Sequence, residues 1–224
     1  MPGKLENRVA LVFGASGMIG SHLVRELKYH VSFSSIEAFI RKPMDYNHLT
    51  VNEHIIDFSR LDEYAHLIKG DDLFICLGTT IRKAGSVKKM EEIDRDLPIR
   101  IAQIAYVNGV TRVAVVSSMG ANPLSRNYYL RIKGEMEEGI RKIPFNQIVI
   151  ARPSILFGRR KEFRFGELIG NVFMTVFGFF LVGNARKYRG INGHTVAIAM
   201  IALIKSLHRQ IVYQSDELQK FGKK

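Results

Sequence analysis

Directly after the apolar run "RVALVF" the chain reads "GASGMIG", which spaces Gly14, Gly17 and Gly20 three apart between a strand-like and a helix-like stretch. Few short motifs restrict a fold so strongly. The first glycine lets the chain turn tightly out of a strand, the second lets backbone N–H groups approach a ligand, and the third lets the helix lie close against the strand. The helix start then points unpaired N–H groups, and the positive end of its dipole, at that ligand, which suits a pyrophosphate. Ser16 lies within the same loop. A glycine turn without a ligand is the plain alternative, but the strand before and the helix after favour a dinucleotide site.

The helix-like stretch carries Ile19, Leu23, Val24 and Leu27 at helical spacing. Further apolar runs, "IEAFIRK", "NEHIID", "DDLFICLG", "RVAVVSS" and "FNQIVIARPSI", read as strands, with helices expected near 61–69, at 94–108 and around Tyr129. Strands so uniformly apolar, separated by helices, predict an α/β fold: a Rossmann-like, doubly wound parallel sheet covered on both faces. Such sheets bind ligands at the carboxyl ends of their strands. From about residue 156 to 190 the alternation breaks, and a small C-terminal substrate lobe is expected there within one folded unit of residues 1–224. A last helix, "HTVAIAMIALIKSLH", closes the core.

Composition narrows the partners. A single cysteine, Cys76, excludes an intrachain disulfide and a multi-cysteine zinc site, and no metal is expected. No apolar run reaches the length of a transmembrane helix, and "MPGKLENR" leads straight into the first strand rather than a cleavage site, so a cytoplasmic home is expected. The net charge of +12 admits nucleic acid, an anionic membrane surface or a phosphate-rich small molecule. Its basic residues come in short clusters without a nucleic-acid motif, which leaves the small molecule favoured and the oligomeric state open. The apolar segment from Leu168 to Gly183 is expected to line a core or substrate pocket; contact with a membrane surface is the less favoured alternative.

The end of the second strand selects between dinucleotides. An acid there would bond a free ribose 2′-hydroxyl, whereas a basic pair would meet a 2′-phosphate. The residues in place are Arg41 and Lys42, with Glu37 four residues too early, so NADP(H) is expected. Asp57, ending the third strand, is placed to reach the adenine, and Leu77, Gly78 and Thr79 lie where the fourth strand passes the cofactor.

Tyr129 and Lys133 stand four apart, on one face of the expected helix. That spacing alone does not separate a catalytic pair from two ordinary helix residues. Together, however, "CLGTT", "SSMGA", "YLRIKGEMEE" and "ARPSILFGRRKEFRFGE" resemble the atypical branch of the short-chain dehydrogenase/reductase superfamily, and within it the Tat-interacting-protein group of NADP-binding oxidoreductases. The resemblance covers nearly the whole chain. It implies that Tyr129 and Lys133 are the catalytic pair, that Met18 and Ile19 meet the cofactor through their backbone, and that Leu156 and Arg164 close over it. It also implies an NADPH-dependent reduction of a carbonyl-like small molecule, with an NADPH-binding regulatory role as the alternative.

The chemistry agrees with that implication. A phenol with a pKa near 10 needs an adjacent cation to act near neutrality, and Lys133 supplies one. A serine hydroxyl can hold the substrate oxygen as charge develops on it. Ser117 and Ser118 both end the fifth strand and face opposite ways; Ser118 is favoured, although some relatives place this serine where the chain has Met119.

Overall fold

The computed structural model describes residues 7–157, 189–206 and 209–223. Its sheet runs β3-β2-β1-β4-β5-β6-β9, every neighbouring pair parallel. The strands are β1 (Arg8–Phe13), β2 (Phe33–Ile40), β3 (Val51–Ile55), β4 (Asp72–Ile75), β5 (Arg112–Val116), β6 (Gln147–Arg152) and β9 (Val212–Gln214). A separate parallel pair, β7 (Leu156–Phe157) with β8 (Ile191–Asn192), joins the two ends of the expected lobe. Residues 158–188, which hold most of that lobe, lie outside the described residues.

Side chains alternate across each strand, so each strand feeds two layers. Ala10, Val12, Ile36, Ala38, Val149 and Ala151 share one buried cluster with residues of α1 (Met18–Leu27) and α6 (Gly193–Lys205). Leu11, Phe13, Phe39, Val113, Val115 and Ile150 share the other with α4 (Leu97–Val107) and α5 (Tyr128–Arg141). Each fully buried side chain of this kind contributes about 1.5–3 kcal/mol. The doubly wound sheet expected from the apolar runs is therefore the observed one, and its strand order reverses between β1 and β4, the switch point whose crevice takes ligands in sheets of this kind.

Three elements differ from the sequence reading. The helix expected near 61–69 is a 3₁₀ turn over Phe58–Leu67, kinked at Arg60, and only Leu61 of it is buried. Its other apolar side chains, Phe58, Tyr64, Ala65 and Leu67, pack against the core only partly buried. Two short helices, α2 (Ile81–Ala84) and α3 (Val87–Glu91), follow β4, and the helix expected at 94–108 grows out of a π turn at Glu92–Asp96. Leu97 N–H there donates to the Glu92 carbonyl, five residues back. Pro98 has no N–H to give the Asp94 carbonyl four residues back, which leaves room for that wider turn. The third difference is the C-terminal β9, too short to stand out in sequence, which pairs with β6 and buries Tyr213 before α7 (Ser215–Phe221) ends the fold.

Candidate functional site

The glycine loop leaves β1 at the crevice. Gly14 has φ 83°, and a Cβ there would lie 2.6 Å from the Cys76 carbonyl oxygen at the end of β4. Only glycine satisfies both demands at that position. Gly17 donates its N–H to the Gly14 carbonyl at 3.0 Å and precedes α1. A Cβ on Gly20 would overlap the same carbonyl. No side chain caps the start of α1, so its first N–H groups face the crevice without a side-chain partner. Ser16 is exposed at the loop tip; Ile19 is buried and Met18 packs where a Cβ on Gly193 would fall. Glycines that no side chain could replace, around uncapped N–H groups, fit a pyrophosphate.

Arg41 and Lys42 stand exposed immediately after β2, and no ion pair engages either among the described residues. Glu37 is committed elsewhere. Its carboxylate accepts from Ser35 Oγ at 2.6 Å and Asn52 Nδ2 at 2.8 Å, and lies 2.6 Å from His54 Nε2. Burial pushes its pKa up, but hydrogen bonds from Ser35, His54 and Asn52 outweigh that and hold it below the ordinary value. Asp57 is exposed, and its carboxylate caps the 3₁₀ turn, accepting from Ser59 N at 2.9 Å and Ser59 Oγ at 2.7 Å. Those bonds hold its pKa low. Leu77, Gly78 and Thr79 continue from β4 along the crevice, Leu77 half-buried against the core and Gly78 exposed.

The α5 helix carries the proposed catalytic pair. Asn127 caps it, its side chain accepting from Leu130 N at 3.2 Å. Tyr129, Lys133 and Glu137 follow one another at four-residue spacing along one face, Tyr129 half-exposed and the other two buried. Lys133 does not stand alone. Its Nζ lies 2.7 Å from Asp94 Oδ1, both side chains almost wholly out of water, and Asp94 Oδ2 accepts from Thr79 N at 2.9 Å. Burial pulls the Lys133 pKa down, but Asp94, with Tyr129 and Glu137, outweighs burial and raises it, so the side chain is an ammonium. Gly78 covers the pair: a Cβ there would lie 3.5 Å from Asp94 Oδ1 and 4.0 Å from Lys133 Nζ. Sequence reasoning missed Asp94, and the only local signal was the proline four residues on.

The two serines separate cleanly. Ser117 is buried and donates to Glu137 Oε1 at 2.5 Å, while Arg152 clasps that carboxylate from Nε at 2.8 Å and from its second nitrogen at 2.6 Å. Ser118 is half-exposed, opens a turn closed by Ala121 N–H on its carbonyl, and has Gly120 at φ 80° within it. That turn is tied to α5 by Asn122 N donating to the Leu130 carbonyl at 3.0 Å, and Pro123 packs where a Cβ on Gly134 would fall. Ser118 thus stands beside the helix of Tyr129, whereas Ser117 braces the interior. Ser117→Ala is expected to lower unfolding stability by about 1.5–3 kcal/mol, the range for a hydrogen bond to a charged group. Ser118→Ala is expected to stay within about 0.5 kcal/mol. Urea denaturation of the two variants decides between the roles, and the reverse order would exchange them.

Leu156 lies half-buried in β7, packed against the cluster shared with α1 and α6. Arg164 and the apolar segment from Leu168 to Gly183 lie outside the described residues. His194 is engaged by Glu26, Nε2 to Oε1 at 2.8 Å, which makes it a link between α6 and α1. Among the described residues no group of side chains could hold a metal ion, and no helix is long and apolar enough to cross a membrane.

Residues 14–165 match the family model described as NAD(P)H-binding. Protein HTATIP2 of Rattus norvegicus is 34% identical over 174 residues, covering 76% of this chain and 72% of that protein. Protein FMP52, mitochondrial, of Candida glabrata is 32% identical over 201 residues, covering 87% and 84%. Among solved structures, DesIV, a dTDP-glucose 4,6-dehydratase of Streptomyces venezuelae with NAD and TYD bound, superposes with a TM-score of 0.69 at 16% identity, over 92% of this chain and 74% of that one. The FMP52 relatives are mitochondrial by name, which overturns the expectation of a cytoplasmic home. That expectation rested on two absences, of a transmembrane-length apolar run and of a cleavage site, and neither names a compartment.

Proposed function

Because the chain belongs to the NAD(P)H-binding family, we propose that it is an NADPH-dependent oxidoreductase that reduces a carbonyl-like group on a small molecule. The observation that carries this reading is the α5 face, where Tyr129 precedes the buried ammonium of Lys133 by one turn, beside the turn that presents Ser118. Bound NADPH supplies the hydride. Gly14, Ser16, Gly17 and Gly20, with the backbone of Met18 and Ile19, would hold its pyrophosphate, and Arg41 and Lys42 would meet its 2′-phosphate. Leu77, Gly78, Thr79 and Leu156 would border it.

Tyr129 donates its phenolic proton to the substrate oxygen as negative charge develops there. The Ser118 hydroxyl donates a hydrogen bond to the same oxygen, and the Lys133 ammonium favours the tyrosinate left behind. Such a cation matters because an unassisted phenol titrates near 10. Here the cation is shared with Asp94 at 2.7 Å. That sharing favours a second reading, an NADPH-binding regulatory protein with little catalysis, since a cation already paired lends its neighbour a weaker field.

NADPH consumption against a panel of aldehydes and ketones separates the two. With a turned-over carbonyl, Tyr129→Phe is expected to slow the reaction by about a hundredfold or more and to change NADPH affinity by less than about twofold. An undiminished rate in Tyr129→Phe, or tight NADPH binding without turnover on any carbonyl, would decide for the regulatory reading.

A further inference from the structure

The loop between β2 and β3 passes twice through left-handed backbone. Asp45 and Asn47 adopt left-handed backbone, φ 51° and 40°, on either side of Tyr46. Asp and Asn tolerate that region better than most residues, and it persists where the surroundings determine it. The surroundings here are specific. Glu53, on β3, accepts the N–H of Met44 at 3.0 Å and of Tyr46 at 2.8 Å, one on each carboxylate oxygen. Lys28, after α1, donates to the Tyr46 carbonyl at 3.0 Å and lies 5.2 Å from the centre of its ring.

Tyr46 then reaches across to the glycine loop, where its hydroxyl donates to the Ala15 carbonyl at 2.9 Å. Burial, with Glu53 nearby, pushes that phenol up to about 12, so it remains a donor through the neutral range. Its ring packs against the core cluster beneath α1. Two loops distant in sequence are thereby clasped: one cradles a pyrophosphate and the other begins with Arg41 and Lys42. Those two side chains are long and exposed, and a flexible charge discriminates poorly unless its backbone is fixed in front of the group it must meet.

We propose that Tyr46, seated on Glu53, is a specificity-determining positioning residue: by clasping the β2–β3 loop to Ala15 it fixes Arg41 and Lys42 before the ribose 2′ position. It thereby favours a 2′-phosphate over a 2′-hydroxyl. The inference rests on the NADPH reading above. It assigns the preference not to the basic pair alone but to the clasp behind it.

Dissociation constants for NADPH and NADH, measured by nucleotide fluorescence, test it in the full chain, in Tyr46→Phe and in Glu53→Gln. Phe keeps the packed ring and removes only the hydroxyl; Gln keeps one acceptor and loses the paired carboxylate. Each variant is expected to bind NADPH about five- to tenfold more weakly, the effect of about one hydrogen bond. NADH binding is expected to change less than about twofold, with the circular dichroism spectrum retained. Equal losses for both dinucleotides would make Tyr46 general scaffold and overturn the inference, as would an unchanged NADPH preference. Equal affinities in the unaltered protein would instead remove the NADPH reading itself, before any variant is measured.

Discussion

Replacing Asp94 with Ala is expected to lower unfolding stability by about 3–5 kcal/mol, because it strands a buried ammonium with no opposite charge. Lys133 is 2% exposed and Asp94 0%, so neither charge recovers its lost hydration when the other is removed. Lys133→Met should cost a similar amount for the mirror reason. The double change Asp94→Leu with Lys133→Met should cost much less than the two single losses added together, since it leaves no unpaired charge. Urea denaturation measures all three. A single Asp94→Ala loss below about 1 kcal/mol would place the pair in water and sink the argument.

The pH dependence carries a sign that packing alone does not. In the unaltered protein the Lys133 pKa is raised by Asp94, so the pair's contribution is complete below the unfolded lysine value of about 10.4 and is lost as pH rises through the higher folded value. In Asp94→Asn the pull of burial, the largest single influence on Lys133, is left without its main opponent. Its folded pKa then drops below the unfolded one, the unfolded chain holds more protons, and that variant gains stability with rising pH. Opposite slopes on the alkaline side are the expected result. Parallel curves would show that Asp94 does not set the ionisation of Lys133.

What was legible in the sequence divides along a physical line. Gly14, Gly17 and Gly20 could be read because each answers a local backbone demand, and the strands could be read because alternation and apolar runs are local too. Ser117 and Ser118 could be placed on opposite faces for the same reason, but not that Ser117 would end on Glu137, twenty residues away. Asp94 was hidden among Glu91, Glu92 and Asp96, and only the π turn selects which of the four acids points inward. Tyr46 reaches Ala15 across thirty-one residues, with nothing periodic to announce it. Residues defined by what they meet across the fold stay silent until the fold is known.

The glycine loop gives the other large effect, and the structure supplies its control. Gly14→Ala combines two penalties: a left-handed φ of 83°, and a Cβ 2.6 Å from the backbone oxygen of Cys76. The first costs about 1–2 kcal/mol for a side-chain-bearing residue, and forcing an atom into packed backbone costs about 1–3 kcal/mol more. Gly85 has nearly the same backbone, φ 82°, yet a Cβ there meets nothing within 4 Å. Gly85→Ala therefore carries the first penalty alone. The expected order is a loss of about 1–2 kcal/mol for Gly85→Ala and about 2–5 kcal/mol for Gly14→Ala. Only the second should also weaken dinucleotide binding, by about tenfold or more, because relief of the overlap moves the loop away from β4 and opens the cradle at the start of α1. Paired denaturation and NADPH titrations read both quantities. Equal losses in the two variants would mean that backbone conformation, and not the close approach to Cys76, is what makes Gly14 a glycine.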